Sequence, residues 1–219
     1  EMVGFVNTYL NLTEEDRVLD IGGNDGTLLK EFLKKKPYLN VLNIDASTNL
    51  TDEAEANGIP SINEFWGVDL AKKLDTKFKL ITTTNCFQHT APIESFVEGI
   101  LLSLAPRGIW CLEFPYWKTS LETGQFDQVY HEHVYYYDLK SINKLFSQHG
   151  FRVVDCSVND TNGGSIRVYI QHNQASIDSF GTAPLRDVCN FRVKALLEYE
   201  KNHYDFNNVE LWNDYQKRV

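Results

Sequence analysis

The sequence predicts an α/β domain built on a seven-stranded, mostly parallel sheet with helices on both faces. Short apolar runs alternate with helical patterns through the first half of the chain, and two further strand-like runs joined by a glycine-rich turn follow in the second half. Right-handed crossovers would place the loops that follow the parallel strands at one edge of the sheet, where ligands bind in such folds.

Five apolar runs in the first half are predicted to be strands, at residues 17–21, 40–45, 59–62, 78–84 and 108–114. Helical patterns separate them, at about residues 27–36, 49–57, 67–75 and 92–104. Strands and helices that alternate in this way indicate a parallel sheet covered by helices on both faces.

The second half departs from this alternation. Residues 118–138 are aromatic, polar and irregular, and a connection of this length inside a compact domain is usually functional or mobile. A helix is predicted over 139–150, followed by "FRVVDCSV" and "SIRVYIQH", which "NDTNGG" joins into an antiparallel hairpin. We therefore expect a ligand-binding domain over 1–172, with an active-site loop at 115–138, and a helical extension over 173–219.

Composition excludes several classes of function. The chain has 219 residues and a formal net charge of −9, which opposes binding to nucleic acid but permits a small phosphorylated substrate. No stretch is apolar for the roughly 18 residues that a membrane helix needs. The four cysteines are scattered without a C-x-x-C pair, which predicts a reducing, cytoplasmic location.

The loop after the first predicted strand, in "VLDIGGNDGTLL", has the composition of a nucleotide-cofactor loop. Asp20 ends the strand, and Gly22, Gly23 and Gly26 permit a tight turn and a close approach of a ligand to the backbone. Asn24 stands where a middle glycine is common, and asparagine tolerates the left-handed conformation. The turn is therefore predicted to persist.

Asp45 ends the second predicted strand, 25 positions after Asp20. A carboxylate at this point can bind both ribose hydroxyls of an adenosine. A loop that binds a pyrophosphate cofactor, or acidic strand ends that only cap helices, would explain the same residues. Phe65, after the third strand, is predicted to pack on the adenine, although an aromatic residue there is more often part of a core.

Five segments together resemble the S-adenosylmethionine-dependent sugar C-methyltransferases: "DIGGNDG", "NCFQHTAPIESFVEGI", "EFPYW", "FDQVYHEHVYYYD" and "NGGSIRVY". The resemblance runs in order from about residue 18 to 170 and implies the class I methyltransferase, Rossmann-like fold. Its cofactor would be S-adenosylmethionine, with S-adenosylhomocysteine as product. Proteins of that family normally carry a cysteine-rich zinc module before these segments and a second Rossmann-like region after them. This sequence contains neither, so we expect it to correspond to the core region of the family.

The same resemblance implies a set of catalytic residues in "YHEH" and "NCFQH". His133 is the candidate base that would remove a proton beside a keto group, and His89 would hydrogen-bond the keto oxygen. Tyr130 and Glu132 would orient the sugar or the base. A histidine satisfied by a carbonyl is the alternative for His133, and a metal site with His131 lacks a third ligand at a recognisable spacing.

Further side chains are predicted to bind ligands from the ends of later strands. Glu113 and Tyr116 would contact the sugar, although Glu113 can equally pair with a cation. Asn85 would contact the cofactor or the substrate, or act as a buried cap. Arg167, in "NGGSIR", would help the turn to bind a diphosphate, although a plain hairpin explains these residues as well.

The sequence thus predicts a methyltransferase whose partner is a small molecule, a nucleotide-linked keto-deoxysugar, rather than nucleic acid or a membrane. Two other functions fit the residues less closely. One is a small-molecule O- or N-methyltransferase in which His133 acts on a hydroxyl or orients it. The other is a binding or regulatory module that keeps the cofactor pocket without turnover.

Overall fold

The computed structural model describes residues 2–175, 182–205 and 207–219. The strands are β1 Arg17–Ile21, β2 Asn40–Ile44, β3 Ser61–Ile62, β4 Phe78–Thr84, β5 Leu104–Pro115, β6 Phe151–Asn159 and β7 Ser165–His172. The helices are α1 Met2–Tyr9, α2 Thr27–Lys35, α3 Thr48–Ala56, α4 Val68–Leu74, α5 Ile93–Ser103, α6 Trp117–Thr123, α7 Leu139–Gln148, α8 Ala183–His203 and α9 Val209–Arg218. None of the helices in the described ranges is long and apolar enough to cross a bilayer.

The seven strands form one sheet in the order β3-β2-β1-β4-β5-β7-β6. The first five pair in parallel, whereas β7 pairs antiparallel with both β5 and β6. The predicted mixed sheet with a C-terminal antiparallel hairpin is therefore confirmed. Asp20 on β1 lies between Asn43 on β2 and Thr82 on β4, which brings three polar side chains together near the carboxyl ends of the strands.

The apolar core lies on both faces of this sheet. Along β5, Trp110 and Leu112 belong to one buried cluster, and Ile109 and Cys111 belong to the other. Because successive side chains of a strand point to opposite faces, this alternation shows that each face is covered. The helices on both faces that the sequence predicted are confirmed.

The segment between β5 and α7 is more ordered than its composition predicted. Its first part forms α6, which ends at Gly124 in the left-handed conformation (φ 70°). Turns and bends occupy the rest, up to Asp138, whose side chain accepts a hydrogen bond from the backbone N–H of Ser141 and so caps α7. The second part of the segment, residues 124–138, therefore lies between two helices, α6 and α7.

The helical pattern predicted after residue 175 appears as α8 and α9 within the described residues, while positions 176–181 and 206 lie outside them. The division into a domain at 1–172 and an extension at 173–219 stays a prediction. Arg192 on α8 pairs with the buried carboxylate of Asp155 on β6. On α9, Arg218 donates to the carbonyls of Leu121 and Glu122 at the end of α6.

Glu200 on α8 joins both ends of the segment between β5 and α7. Its buried carboxylate accepts hydrogen bonds from the Tyr116 hydroxyl (2.6 Å) and from the backbone N–H groups of Leu139 and Lys140 (both 2.8 Å). These N–H groups begin α7, where the helix dipole favours a negative charge. Burial raises the pKa of Glu200, so these donors are needed to hold its charge.

Replacing Glu200 should therefore destabilise the protein. We expect Glu200→Ala to lower the free energy of unfolding by about 3 kcal/mol, because it leaves buried donors without an acceptor. Urea denaturation measures this change. Glu198→Ala, on the exposed side of the same helix, should stay within about 0.5 kcal/mol of the wild type. Equal effects of the two substitutions would contradict the role of Glu200.

Candidate active site

Two cavities adjoin at the carboxyl ends of the parallel strands, and His89 lines both. The apolar cavity has a volume of about 340 Å³, and its lining includes Gly22, Ile44, Asp45, Phe65, Cys86 and His89. The polar cavity has a volume of about 580 Å³, and its lining includes Asn85, Gln88, His89, Gln125, Tyr130 and His133. Both lie at the edge of the sheet where the topology predicts a ligand.

The glycine loop lines the apolar cavity in the predicted conformation. Asn24 adopts the left-handed conformation (φ 55°), as do Gly22 (φ 68°) and Gly26 (φ 74°). The backbone N–H of Asn24 donates to the Asp45 carboxylate (3.0 Å), which joins this loop to the end of β2. The turn with asparagine in place of the middle glycine is therefore intact.

Two of the glycines lie where a side chain cannot fit. A Cβ atom on Gly22 would lie 2.6 Å from Cβ of Cys86, and one on Gly23 would lie 2.2 Å from Oδ1 of Asn43 and 2.7 Å from Oδ2 of Asp20. The backbone therefore passes directly over the ends of β1, β2 and β4. Such a close approach leaves room for a ligand against the main chain.

Asp20 is buried beneath this loop. One carboxylate oxygen accepts a hydrogen bond from the Thr82 hydroxyl (2.7 Å), and the other, Oδ2, has no partner among the described residues. Burial, with a smaller contribution from the neighbouring Asp45 charge, raises the pKa of Asp20 to about 7. The side chain therefore supports the loop from below, and the structure does not expose it to either cavity.

Asp45 and Phe65 both reach the apolar cavity. Oδ1 of Asp45 accepts a hydrogen bond from the backbone of Ser47 (2.9 Å), so the carboxylate is held at the strand end. Phe65 is 86% exposed at the wall of the cavity, where its ring is free to cover a flat ligand. Its neighbour Trp66 is fixed instead, because its indole donates to the carbonyl of Phe96 (3.2 Å).

His133 and Tyr130 form a hydrogen-bonded pair in the polar cavity. Nδ1 of His133 lies 2.9 Å from the carbonyl oxygen of Gln128, which can only accept, so this nitrogen carries the proton. Nε2 then holds the lone pair of the neutral ring and accepts from the Tyr130 hydroxyl (3.0 Å). Burial lowers the pKa of His133, which favours the neutral form.

His89 stands beside this pair, and its ring centre lies 4.9 Å from that of His133. Its Nδ1 donates to the backbone carbonyl of Glu132 (2.8 Å). The Glu132 carboxylate itself points to solvent near the exposed His131. Among the described residues, no hydrogen bond to this carboxylate supports its predicted role in orienting the sugar or the base. Within the described ranges, no three His, Cys, Asp or Glu side chains are grouped as a metal site.

The predicted substrate contacts Glu113 and Arg167 bind each other instead. Across the antiparallel pair of β5 and β7, the Arg167 guanidinium donates to Glu113 from Nε (2.8 Å) and Nη2 (2.6 Å), and Asn159 adds a third hydrogen bond (2.9 Å). Both charged side chains are buried. The charge of Arg167 is therefore neutralised inside the protein. The sequence predicted instead that this side chain would help the glycine-rich turn to bind a diphosphate.

Tyr116 also differs from the prediction. Its side chain is fully buried, and its hydroxyl donates to Glu200 on α8. The expected contact with a substrate is replaced by a structural one, because Tyr116 begins the segment that α8 holds in place. The sequence could not indicate this, since the partner lies 84 positions further along the chain.

Asn85 and Gln88 line the polar cavity together with the two histidines. Asn85 was predicted to contact either ligand, and the structure places it in the polar cavity, with its backbone in the left-handed conformation (φ 51°). Gln88 was not predicted. Its only signal in the sequence was its place beside His89 in "NCFQH".

Asp20 should make stability depend on pH. Its folded-state pKa of about 7 lies above the ordinary value of 3.8, so the folded state binds this proton more tightly than the unfolded chain. The free energy of unfolding should fall as pH rises from about 4 to 7, by up to about 4 kcal/mol. Urea denaturation should show this fall in the wild type relative to Asp20→Asn. Parallel pH profiles of the two proteins would contradict it.

Comparison with known proteins agrees with this geometry. Residues 2–155 match a family model described as a methyltransferase domain. The C-methyltransferase NovU of Streptomyces niveus is 34% identical over 163 residues, which make up 73% of this chain and 38% of NovU. The chain thus spans well under two thirds of the length of this relative.

Solved structures share the fold. The plantazolicin methyltransferase BpumL in complex with SAH has a TM-score of 0.57 at 15% identity, over 73% of this chain and 76% of that one. The mitomycin 7-O-methyltransferase MmcR has a TM-score of 0.58 at 15% identity, over 78% of this chain and 52% of that one. The family model covers most of the sequence, and the chain therefore belongs to the class I, S-adenosylmethionine-dependent methyltransferase domain family.

Proposed function

We propose that this domain transfers a methyl group from S-adenosylmethionine to a carbon atom beside the keto group of a nucleotide-linked deoxysugar. The observation that carries the proposal is the His133–Tyr130 pair, whose unprotonated Nε2 lies in a polar cavity next to the apolar cavity. A buried neutral imidazole with a fixed tautomer is suited to removing a proton. The similarity to C-methyltransferase NovU supports carbon as the acceptor.

The apolar cavity suits the cofactor. Asp45 would accept hydrogen bonds from the ribose hydroxyls, Phe65 would cover the adenine, and the backbone around Gly22 would contact the remaining part. The missing side chain at Gly23 lets the loop that carries Gly22 lie close to Asn43 and Asp20. When bound, S-adenosylmethionine supplies an electrophilic methyl group and leaves as S-adenosylhomocysteine.

In the polar cavity, His133 would act as the base. When the Tyr130 hydroxyl gives way to the substrate, Nε2 takes the proton from the carbon beside the keto group, and the electron pair of that C–H bond moves toward the keto oxygen. The Gln128 carbonyl holds Nδ1–H and so stabilises the imidazolium that forms. His89, fixed through Nδ1, lies beside His133 and would contact the keto oxygen through Nε2.

The lining of the polar cavity fits a sugar ring. Carboxamides from Asn85, Gln88 and Gln125 offer donors and acceptors for hydroxyl groups. The described residues that line it include no lysine or arginine, so we place only the sugar in this cavity and not the diphosphate. The nucleotide part of the proposal rests on the resemblance to sugar C-methyltransferases. The four free cysteines support a cytoplasmic location.

Asp45 provides a test of the cofactor site. We expect Asp45→Ala to weaken S-adenosylmethionine binding about 100-fold, because two charge-assisted hydrogen bonds of about 1.5 kcal/mol each are lost. Isothermal titration calorimetry measures the change. Asp52→Ala, which removes an exposed carboxylate from the adjacent α3, should leave the affinity unchanged. Equal affinity of Asp45→Ala and the wild type would exclude the proposed ribose contact.

His133 provides a test of the chemistry. We expect His133→Ala to lower methylation of nucleotide-linked 4-keto-6-deoxysugars by about 10²- to 10⁴-fold and to stop exchange of the substrate C–H proton with solvent. Mass spectrometry and NMR measure the two effects. His131→Ala, which changes a 91% exposed side chain two residues away, should keep both activities.

The outcomes separate the alternative functions. A methyl group on oxygen or nitrogen, formed without exchange of a carbon-bound proton, would replace C-methylation by transfer to a heteroatom. A wild-type protein that binds the cofactor and releases no S-adenosylhomocysteine with any substrate of the panel would indicate a binding module. Unchanged rates in His133→Ala would remove this residue from the mechanism.

A further inference from the structure

Gln88 is a buried polar side chain whose amide oxygen, Oε1, has no hydrogen-bond partner in the described part of the chain. It is 4% exposed. The carboxamide nevertheless lines the polar cavity, on the same short turn as His89. A buried carboxamide without partners destabilises a protein, so its presence in the wall of a cavity indicates a polar ligand.

The surrounding structure fixes the backbone of the turn that carries Gln88. Its neighbour Phe87 is fully buried and stacks on Tyr137, which anchors the turn in the core. On the other side, the backbone carbonyl of Gln88 accepts hydrogen bonds from Val134 (3.0 Å) and Tyr135 (3.3 Å). The turn is therefore held from both directions, and the backbone from which the carboxamide extends is in place before any ligand binds.

Among the described residues, the carboxamide oxygen of Asn85 also lacks a hydrogen-bond partner. Oδ1 of Asn85 is buried without a partner in the described part of the chain, and Asn85 lines the same cavity. A carboxamide offers an acceptor on one side and donors on the other, and a hydroxyl group both donates and accepts. A ligand with hydroxyl groups can therefore satisfy Asn85 and Gln88 in either orientation of the amides.

We propose that Gln88 is a specificity-determining residue that binds a ring hydroxyl of the substrate, next to the atom on which His133 acts. This inference rests on the proposed function for the identity of the substrate as a sugar. The structure assigns Gln88 a role in binding, with Asn85 as its neighbour in the same wall. Oε1 of Gln88, which no described residue satisfies, gains a hydrogen-bond partner when the sugar binds.

The test compares the wild type with Gln88→Met, which keeps the size of the side chain and removes its polar atoms. We expect the KM for a nucleotide-linked 4-keto-6-deoxyglucose to rise about tenfold, while the affinity for S-adenosylmethionine is unchanged. The Tm of the free protein should rise by about 2–4 °C, because an unsatisfied polar group is lost. A residue that only supports the fold would lower the Tm when replaced.

Ser103→Ala is the matched control. Ser103 is fully buried, its Oγ has no partner among the described residues, and it does not line the polar cavity. Its replacement should raise the Tm without changing the KM. The 2-deoxy and 3-deoxy analogues of the sugar complete the test: the wild type should discriminate against one of them, and Gln88→Met should lose that discrimination.

Three results would overturn the role of Gln88: a lower Tm in Gln88→Met, an unchanged KM, or unchanged discrimination between the sugar and its deoxy analogues. Failure of the proposed function is a separate result, in which the wild type methylates none of these sugars. In that case calorimetry of sugar binding to the wild type and to Gln88→Met replaces the KM. Equal affinities, or no binding to either protein, would then also overturn the inference.

Discussion

The site depends on close backbone packing where the chain leaves β1. Gly22 lies against Cys86 at the end of β4, and Gly23 lies against Asn43 on β2, with no space for a side chain at either glycine. This contact draws three strand ends together and brings the backbone of Gly22 to the wall of the apolar cavity. Asp45 reinforces it from the side by accepting a hydrogen bond from Asn24. The position of the apolar cavity therefore depends on the absence of side chains at these two glycines.

His89 and His133 are held by a different kind of contact. Hydrogen bonds to backbone carbonyls position both histidines, and Glu200 on α8 fixes the two ends of the segment that carries His133. The middle of the segment contributes little to the core, since Tyr130 is 41% exposed. Its end is buried, since Tyr137 is 6% exposed. Because three hydrogen-bond donors hold Glu200, the shape of the polar cavity depends on these hydrogen bonds as well as on apolar packing.

The sequence was sufficient for those features that are set by local geometry. Strand and helix order followed from periodicity, and the left-handed turn at Asn24 followed from the residues that tolerate it. The sequence was insufficient where a side chain could bind either of two partners equally well. Glu113 could bind a sugar or a cation, and only the pairing of β5 with β7 selects Arg167. Glu200 gave no signal because its role arises from contacts with residues at least 60 positions earlier.

Residues 86–89 lie between the two cavities. Cys86 lines the apolar cavity, Gln88 lines the polar one, and His89 lines both. The sheet and its first two loops form one wall of this arrangement, and the segment around Tyr130 forms the other. Residues of that segment line the polar cavity and not the apolar one, so their exchange would change the polar cavity while the apolar cavity keeps its lining. The fold thus lets one cavity vary independently of the other, and the five residues that follow β4 mark the boundary between them.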